Sequence, residues 1–197
     1  MTEAPAPRDA IALAADIRSG AADPAEVLEQ SISRIKELNP ALNAVVATRF
    51  DEARAEVEAG LPDGPLRGVP ILIKILGTDV KGLPATDGSR LFTDVIATVD
   101  STVVQRYKAA GMVVVGMTNA PEFGKTTTTE PLLYGPCHNP WNTEYSTGGS
   151  SGGSAASAGP TAAGPSGFLP PCAGWWASSR AVAGCLPGRI PSRWPHP

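Results

Sequence analysis

Apolar residues recur at helical spacing in the first forty residues of the chain. One helical face carries Val27, Leu28, Ile32, Ile35 and Leu38. Asp23 is suited to cap this helix, and Pro24 is suited to its first position. Because the residue before a proline disfavours helical backbone angles, the pair Asn39-Pro40 predicts where the helix ends.

Three shorter patterns predict further elements before residue 60. Residues 11–17 form a helical pattern that Gly20 closes, and residues 52–58 form another that Gly60 closes. Between them, the apolar run at 44–47 is typical of a short strand. The first sixty residues therefore contain predicted helices and one short strand.

Two continuous apolar runs, at 69–75 and 112–115, predict buried strands. Ser101, between them, is suited to cap a helix that ends before Gly111. A strand, a helix and a second strand in this order imply a right-handed crossover between parallel strands. Since helices cover the faces of such a sheet, the pattern predicts an α/β fold.

The region from Asn119 to Gly153 lacks periodicity and is predicted to be mostly loop. A long loop inside a compact domain is usually functional. The segment 155–197 is of a different kind, since it contains no Asp, Glu or Lys and its eight prolines interrupt any long periodicity. It predicts neither an amphipathic helix nor an alternating strand.

Composition excludes several classes of protein. The chain has 197 residues, enough for one domain with a core, and 42% of them are hydrophobic, as in a soluble globular protein. The net charge of −3 and the lack of a basic stripe argue against a nucleic-acid partner. No apolar run is long enough for a bilayer, and the N-terminus lacks signal-peptide features, so we expect no membrane partner and a cytoplasmic location. The three cysteines show neither disulfide nor metal spacing.

Two adjacent serines, Ser150 and Ser151, lie between two glycine pairs in the block 148–154, which leads into Ala155 and Ala156. Glycine lets backbone amides approach a bound group closely, so the block suits a reactive hydroxyl or a bound anion. A flexible linker has a similar composition. A phosphate-binding loop is a third hypothesis, which is less well supported because no lysine follows the block.

Further motifs accompany this block along the chain. They are Gly68-Val69-Pro70-Ile71-Leu72-Ile73-Lys74, Gly88-Ser89, Gly116-Met117-Thr118-Asn119-Ala120-Pro121-Glu122-Phe123-Gly124 and Gly135-Pro136-Cys137-His138-Asn139-Pro140-Trp141. From about Asp9 to about Ala156, the sequence resembles the amidase signature family, serine hydrolases that cleave the carbon–nitrogen bonds of amides. The resemblance implies an α/β fold with a mixed sheet flanked by helices, of which this chain would hold a truncated part.

The resemblance also assigns chemistry to individual residues. Lys74 matches the family's catalytic base, and Ser150 matches the serine that follows a cis peptide bond and relays a proton to the nucleophile. Hydrolysis of a small-molecule amide would pass through an acyl-enzyme, without metal or cofactor. From the residues alone, Lys74 could instead extend from the strand end to water. Ser150 and Ser151 could make ordinary turn or helix-cap hydrogen bonds, an interpretation that suits Ser151 better.

Other polar residues of the motifs receive structural interpretations. His138 is a general base by residue type, but a loop hydrogen bond fits its context better. Cys137 has no matched histidine or aspartate and is interpreted as a buried thiol. The threonines at 126–129 could line a substrate cleft or fill the loop, and Glu122 is expected to serve the structure of the loop.

The family's nucleophile, the serine of a Gly-Gly-Gly-Ser-Ile-Arg motif, has no counterpart in this sequence. Plausible codons for the family's downstream motif Gly-Leu-Val-Gly-Leu-Lys-Pro, shifted by one base, encode Gly174–Arg180. We therefore interpret 9–157 as the N-terminal part of an amidase domain and 158–197 as an irregular tail translated out of frame. The chain is then expected to be an inactive fragment.

Two other functions are compatible with the same motifs. The glutamine-hydrolysing component of a tRNA amidotransferase shares the family's motifs and would need partner subunits, but Thr128-Thr129-Glu130-Pro131 favours a free-standing amidase. The chain could also be the non-enzymatic remnant product of a disrupted gene. The sequence leaves the substrate amide and the oligomeric state open.

Overall fold

The computed structural model describes residues 9–158. Its helices are α1 (Ala10–Ser19), α2 (Pro24–Leu42), α3 (Phe50–Ala59), α4 (Thr102–Ala109) and α5 (Gly152–Ala158). Its strands are β1 (Val45–Thr48), β2 (Pro70–Lys74), β3 (Val113–Thr118), β4 (His138–Asn139) and β5 (Asn142–Ser146). Short 3₁₀ turns lie at Arg90–Phe92 and Glu122–Gly124.

A three-stranded mixed sheet forms the centre of the fold, with the order β1-β3-β2. β2 and β3 run parallel, with Lys74 opposite Thr118, and α4 lies between them in sequence. β1 runs antiparallel to β3, with Val45 opposite the same Thr118. The predicted α/β fold with a mixed sheet is confirmed, as is the parallel pair joined through a helix.

The sheet separates two apolar cores, because successive side chains of a strand point to opposite faces. On one face, Ile71, Ile73 and Val114 pack with residues of α1 such as Leu13. On the other face, Leu72, Val113 and Val115 pack with α2 and α3, through residues such as Leu28, Ile32 and Ala53. Every residue of β3 is buried, which explains its continuous apolar sequence.

The predicted end of α2 at Asn39-Pro40 is wrong. The helix continues through Pro40 to Leu42, and Asn43 closes it in a left-handed conformation, its N–H donating to the Asn39 carbonyl at 2.8 Å. The Asn39 side chain also donates to the Val45 carbonyl at 2.8 Å and accepts from the Val45 N–H at 2.7 Å. These hydrogen bonds fix the last turn of α2 against β1. The helix therefore tolerates the loss of the one backbone hydrogen bond that Pro40 removes.

Two details of the other elements also differ from the predictions. α4 does begin after Ser101, but that side chain makes no capping hydrogen bond, and its buried Oγ has no partner among residues 9–158. Backbone bonds hold the turn instead, since the Ser101 N–H donates to the Asp79 carbonyl at 2.9 Å and its carbonyl accepts from Gln105 N–H at 3.0 Å. The region 119–153, predicted to be mostly loop, contains the β4–β5 hairpin.

The boundary between the predicted amidase segment and the predicted tail falls at the end of the described region. α5 ends at Ala158, and residues 159–197 lie outside the described residues, so the out-of-frame interpretation stays a prediction. Of the helices between residues 9 and 158, none combines the length and the apolar character needed to cross a membrane.

Candidate active site

Three polar side chains meet where β2 ends and the turn before α5 begins. The Lys74 Nζ donates to the Ser150 Oγ at 2.9 Å and to the Ser151 Oγ at 2.9 Å. The sequence separations are 76 and 77 residues, so only the tertiary fold creates this cluster. Lys74 and Ser150, the two predicted site residues, therefore lie in direct contact.

The serines lie on a tightly packed turn. The Gly149–Ser150 peptide bond is cis, as the resemblance implied. A Cβ added at Gly152 would lie 2.2 Å from the Thr129 Oγ1 and 2.3 Å from the Thr147 Oγ1. Since a side chain has no room there, glycine at this position serves close packing. The buried surroundings of Ser151, 2% exposed, are those of a packed segment and not of a flexible linker.

The amine of Lys74 is partly buried. Burial lowers the pKa of the Lys74 amine, because a partly buried site disfavours the charged form. Among residues 9–158 no carboxylate forms an ion pair with this amine, so the neutral form is not opposed by a nearby negative charge. Thr78 Oγ1 donates to the Lys74 carbonyl and fixes the strand end. A lysine with a lowered pKa, bonded to two hydroxyls, is suited to accept a proton from a serine.

An open cleft lies beside this cluster. It has a volume of about 410 Å³ and is lined by Pro121, Glu122, Phe123, Lys125, Thr126, Glu130, Pro131 and Leu132. Gly124, between two of these lining residues, comes so close to Ser150 that an added Cβ would lie 3.7 Å from the Ser150 Cβ. Of the threonines at 126–129, which could line a cleft or fill the loop, Thr126 lines this cleft. Thr129 is buried instead, and its Oγ1 donates to the Gly148 carbonyl at 2.7 Å.

The remaining candidates have structural contacts. The His138 Nδ1 lies 2.8 Å from the Thr143 carbonyl, within the β4–β5 hairpin, as its loop interpretation predicted. Cys137 is fully buried, and burial raises the pKa of its thiol to about 11, which leaves it protonated at neutral pH. Among residues 9–158 no group of three or more His, Cys, Asp or Glu side chains is placed to hold a metal ion.

Sequence reasoning missed two contacts of this region. Ser151 was interpreted as a capping or packing residue, yet its hydroxyl shares the Lys74 amine with Ser150. The buried Ser89 donates to the Glu122 Oε1 at 2.5 Å, which joins two of the quoted motifs. Both Ser89 and Glu122 stand in motifs that the sequence analysis quoted. Their presence in the sequence does not specify that the two side chains meet.

The third catalytic group of the predicted mechanism is not found in this cluster. Ser157, buried within α5, donates to the carbonyl of Ser154 in its own helix at 3.0 Å. Ser166, the next serine along the chain, lies outside the described residues. The cluster therefore contains one amine and two hydroxyls.

Comparison with known proteins identifies the family. The family model described as Amidase matches residues 26–164, and the chain belongs to this amidase family. The acylamidase of Rhodococcus erythropolis is 43% identical over 168 residues, covering 79% of this chain and 35% of that protein. A glutamyl-tRNA(Gln) amidotransferase subunit from Anaeromyxobacter sp. (strain K) is 40% identical over 150 residues, covering 73% of this chain and 30% of that protein.

A solved structure has the same fold. The structure of 6-aminohexanoate cyclic dimer hydrolase complexed with substrate matches with a TM-score of 0.72 and 42% identity, covering 77% of this chain and 32% of that chain. This chain thus spans about a third of the length of the relatives it matches. The predicted membership of the amidase signature family is confirmed by these comparisons.

Proposed function

We propose that Lys74 and Ser150 form the proton-transfer part of an amide-hydrolysing site. The observation that carries the proposal is the 2.9 Å contact between the Lys74 Nζ and the Ser150 Oγ, at an amine whose pKa burial lowers. The names of the relatives, an acylamidase and a cyclic-dimer hydrolase, support a carboxamide as the bond that is cleaved. The substrate proposed here is therefore a small-molecule amide.

The proposed mechanism moves one proton through two groups. A nucleophilic serine, which the family supplies in a motif that this sequence lacks, gives its proton to the Ser150 Oγ as it attacks the carbonyl carbon. Ser150 passes its own proton to the neutral Lys74 amine. Lys74 then returns a proton through Ser150 to the leaving nitrogen, which departs as an amine or ammonia. Water attacks the acyl-enzyme by the same route and releases the carboxylate.

Two alternatives to a free-standing amidase were left open by the sequence. Relatives named as amidotransferase subunits match with 40–41% identity, slightly less than the acylamidase, and Thr128-Thr129-Glu130-Pro131 favours the free-standing enzymes. A non-enzymatic remnant would keep the Lys74–Ser150 contact without turnover. A cytoplasmic location and the lack of a nucleic-acid partner remain expectations from composition.

A chimera tests the proposed roles directly. It joins this chain up to Ala158 to the remainder of the Rhodococcus erythropolis acylamidase, and its substrate is an amide that the acylamidase hydrolyses. We expect Lys74→Ala to lower kcat by about 10²–10⁴-fold, the usual contribution of a general base. Ser150→Ala should also lower kcat, because the relay between nucleophile and lysine is then broken.

Matched variants separate the proposed chemistry from a general loss of structure. Lys81→Ala removes an exposed lysine outside the cluster and should leave kcat unchanged. Near-normal turnover of the Lys74→Ala chimera, or loss of activity on addition of a chelator, would contradict the proposed mechanism. Comparing kcat and KM for each variant then shows whether the missing group acted in the transition state or in substrate binding.

A further inference from the structure

The end of β3 is bound to the start of α5 by side-chain and backbone contacts. The Thr118 Oγ1 lies 2.8 Å from the Ser154 Oγ, and both residues are buried, with exposed fractions of 0% and 6%. Asn119, which follows Thr118, adds a backbone hydrogen bond, because its carbonyl accepts from the Gly153 N–H at 3.1 Å. These contacts join the helix that follows the two serines to the central strand.

The same Thr118 is bound to the strand that carries the lysine. Thr118 lies opposite Lys74 in the parallel pair of β2 and β3. Its carbonyl accepts a hydrogen bond from the Ile75 N–H at 3.1 Å, directly after Lys74. The backbone of Thr118 therefore holds the end of β2, which carries the Lys74 amine. Its side chain holds the start of α5, which directly follows Ser150 and Ser151.

The junction has no room for adjustment. A Cβ added at Gly153 would lie 2.4 Å from the Asn119 amide nitrogen and 2.6 Å from the Ala44 carbonyl oxygen. Backbone of α5 therefore touches backbone at the end of β3 and at the start of β1. In such a tightly packed junction, a shift of the helix start displaces Ser150 and Ser151 relative to Lys74.

We propose that Thr118 and Ser154 are positioning residues for this site: their buried hydroxyl pair holds the Ser150–Ser151 turn at hydrogen-bonding distance from Lys74. Neither hydroxyl contacts the amine, so the pair acts through the helix start and the strand. The catalytic meaning of this role rests on the proposed function, whereas the geometric role does not. The test therefore uses the whole chain and needs no turnover.

The experiment measures the pKa of the Lys74 amine by NMR in the full chain with ¹³C-labelled lysine side chains, with Lys74→Arg identifying the signal. Burial keeps this pKa below that of an exposed lysine. Thr118→Val and Ser154→Ala should each shift it upward, because a displaced turn admits water to the amine. Thr118→Ser, which keeps the hydroxyl, should restore the lower pKa. The double variant Thr118→Val/Ser154→Ala should shift it no further than the larger single change.

The matched control is Ser157→Ala, which removes a buried hydroxyl of the same helix; among residues 9–158, this hydroxyl bonds to the Ser154 carbonyl of its own helix. It should leave the Lys74 pKa unchanged even where it lowers the free energy of unfolding. If Thr118→Val and Ser154→Ala lower stability and leave the pKa unchanged, like the control, the pair serves packing alone and the proposal is wrong. Should Thr118→Val fail to fold, Ser154→Ala, which removes one oxygen from a helical position, decides between the two results.

Discussion

At the scale of single residues, the site depends on what surrounds one amine. Lys74 ends a strand of buried apolar residues, and its two hydroxyl partners are uncharged. Among residues 9–158 no carboxylate pairs with this amine to favour the ammonium form, so burial is the main influence on its pKa and lowers it. The property required of a base is therefore produced by position in the fold and not by a charged neighbour.

This pKa shift predicts how stability depends on pH. Between the lowered pKa of folded Lys74 and the ordinary value near 10.4, the unfolded chain binds more protons than the folded chain. The contribution of Lys74 to the free energy of unfolding therefore rises with pH in this window. Relative to Lys74→Met, the wild-type chain should become more stable as the pH is raised toward this ordinary value, as measured by urea unfolding at a series of pH values.

Two comparisons make this stability prediction specific to Lys74. The Cys137 thiol, with its pKa raised to about 11, titrates in the opposite sense, but it is present in both proteins and cancels in the difference. Lys81→Met, at an exposed lysine, is the matched control for the loss of one lysine side chain. A constant difference between the wild type and Lys74→Met across this pH range would show that the folded environment does not perturb the amine.

Sequence motifs were sufficient to predict Lys74 and Ser150 as partners but did not predict the full set of contacts. The motif order predicted which lysine and which serine would meet, and the two side chains are in contact. Which way the neighbouring Ser151 hydroxyl points depends on the turn geometry and on packing around Gly152, and neither is encoded in a local pattern. The second contact of Lys74 is therefore a result of tertiary structure.

At the scale of elements, close backbone approaches decide where glycine is required. β3 extends beyond the predicted apolar run 112–115 and passes through Gly116. A Cβ at this position would lie 2.3 Å from the Ala47 carbonyl oxygen of β1. The glycine therefore lets β1 and β3 pair closely at the centre of the sheet.

This contact predicts a difference between two glycine substitutions. Gly116→Ala should lower the free energy of unfolding by about 3 kcal/mol, because the methyl group forces β1 away from β3. Gly82→Ala should cost less, about 1–2 kcal/mol, since Gly82 has a φ of +85° but open space around its Cβ position. Urea unfolding of both variants measures the difference, and equal costs would show that the close approach at Gly116 is relieved without strain.

Periodicity predicted that the helices exist, but it did not predict their ends. α2 extends three residues beyond the predicted boundary at Asn39, because the Asn39 side chain bonds to Val45 in the next element. Likewise, the start of α4 depends on the Asp79 carbonyl, which accepts from the Ser101 N–H, and not on the predicted side-chain cap. Both boundaries are set by contacts outside the local sequence, which a local rule does not include.

At the scale of the whole molecule, the candidate site lies where β2, β3 and α5 meet. β2 and β3 carry Lys74 and Thr118 at their carboxyl ends, and α5 packs across these ends with the serines before it. The crossover pattern of the sequence predicted the parallel pair. It did not predict that β1 adds antiparallel to β3, because the short run 44–47 carries no information on its partner. The resemblance implied only that the sheet is mixed.

The last prediction concerns the chain on its own. The 197 residues contain Lys74 and Ser150, the proposed base and relay, but no Gly-Gly-Gly-Ser-Ile-Arg motif, so the proposed proton path from Ser150 has no nucleophile to serve. The purified chain should therefore hydrolyse simple amides no faster than its Lys74→Ala variant, measured by release of amine or ammonia under conditions in which the acylamidase chimera is active. Turnover by the chain that disappears on Ser150→Ala would contradict this, since it would mean that a hydroxyl of the serine pair attacks the carbonyl itself. In that case the lysine would activate its neighbour directly, and the relay assigned to Ser150 would be replaced by a two-residue mechanism.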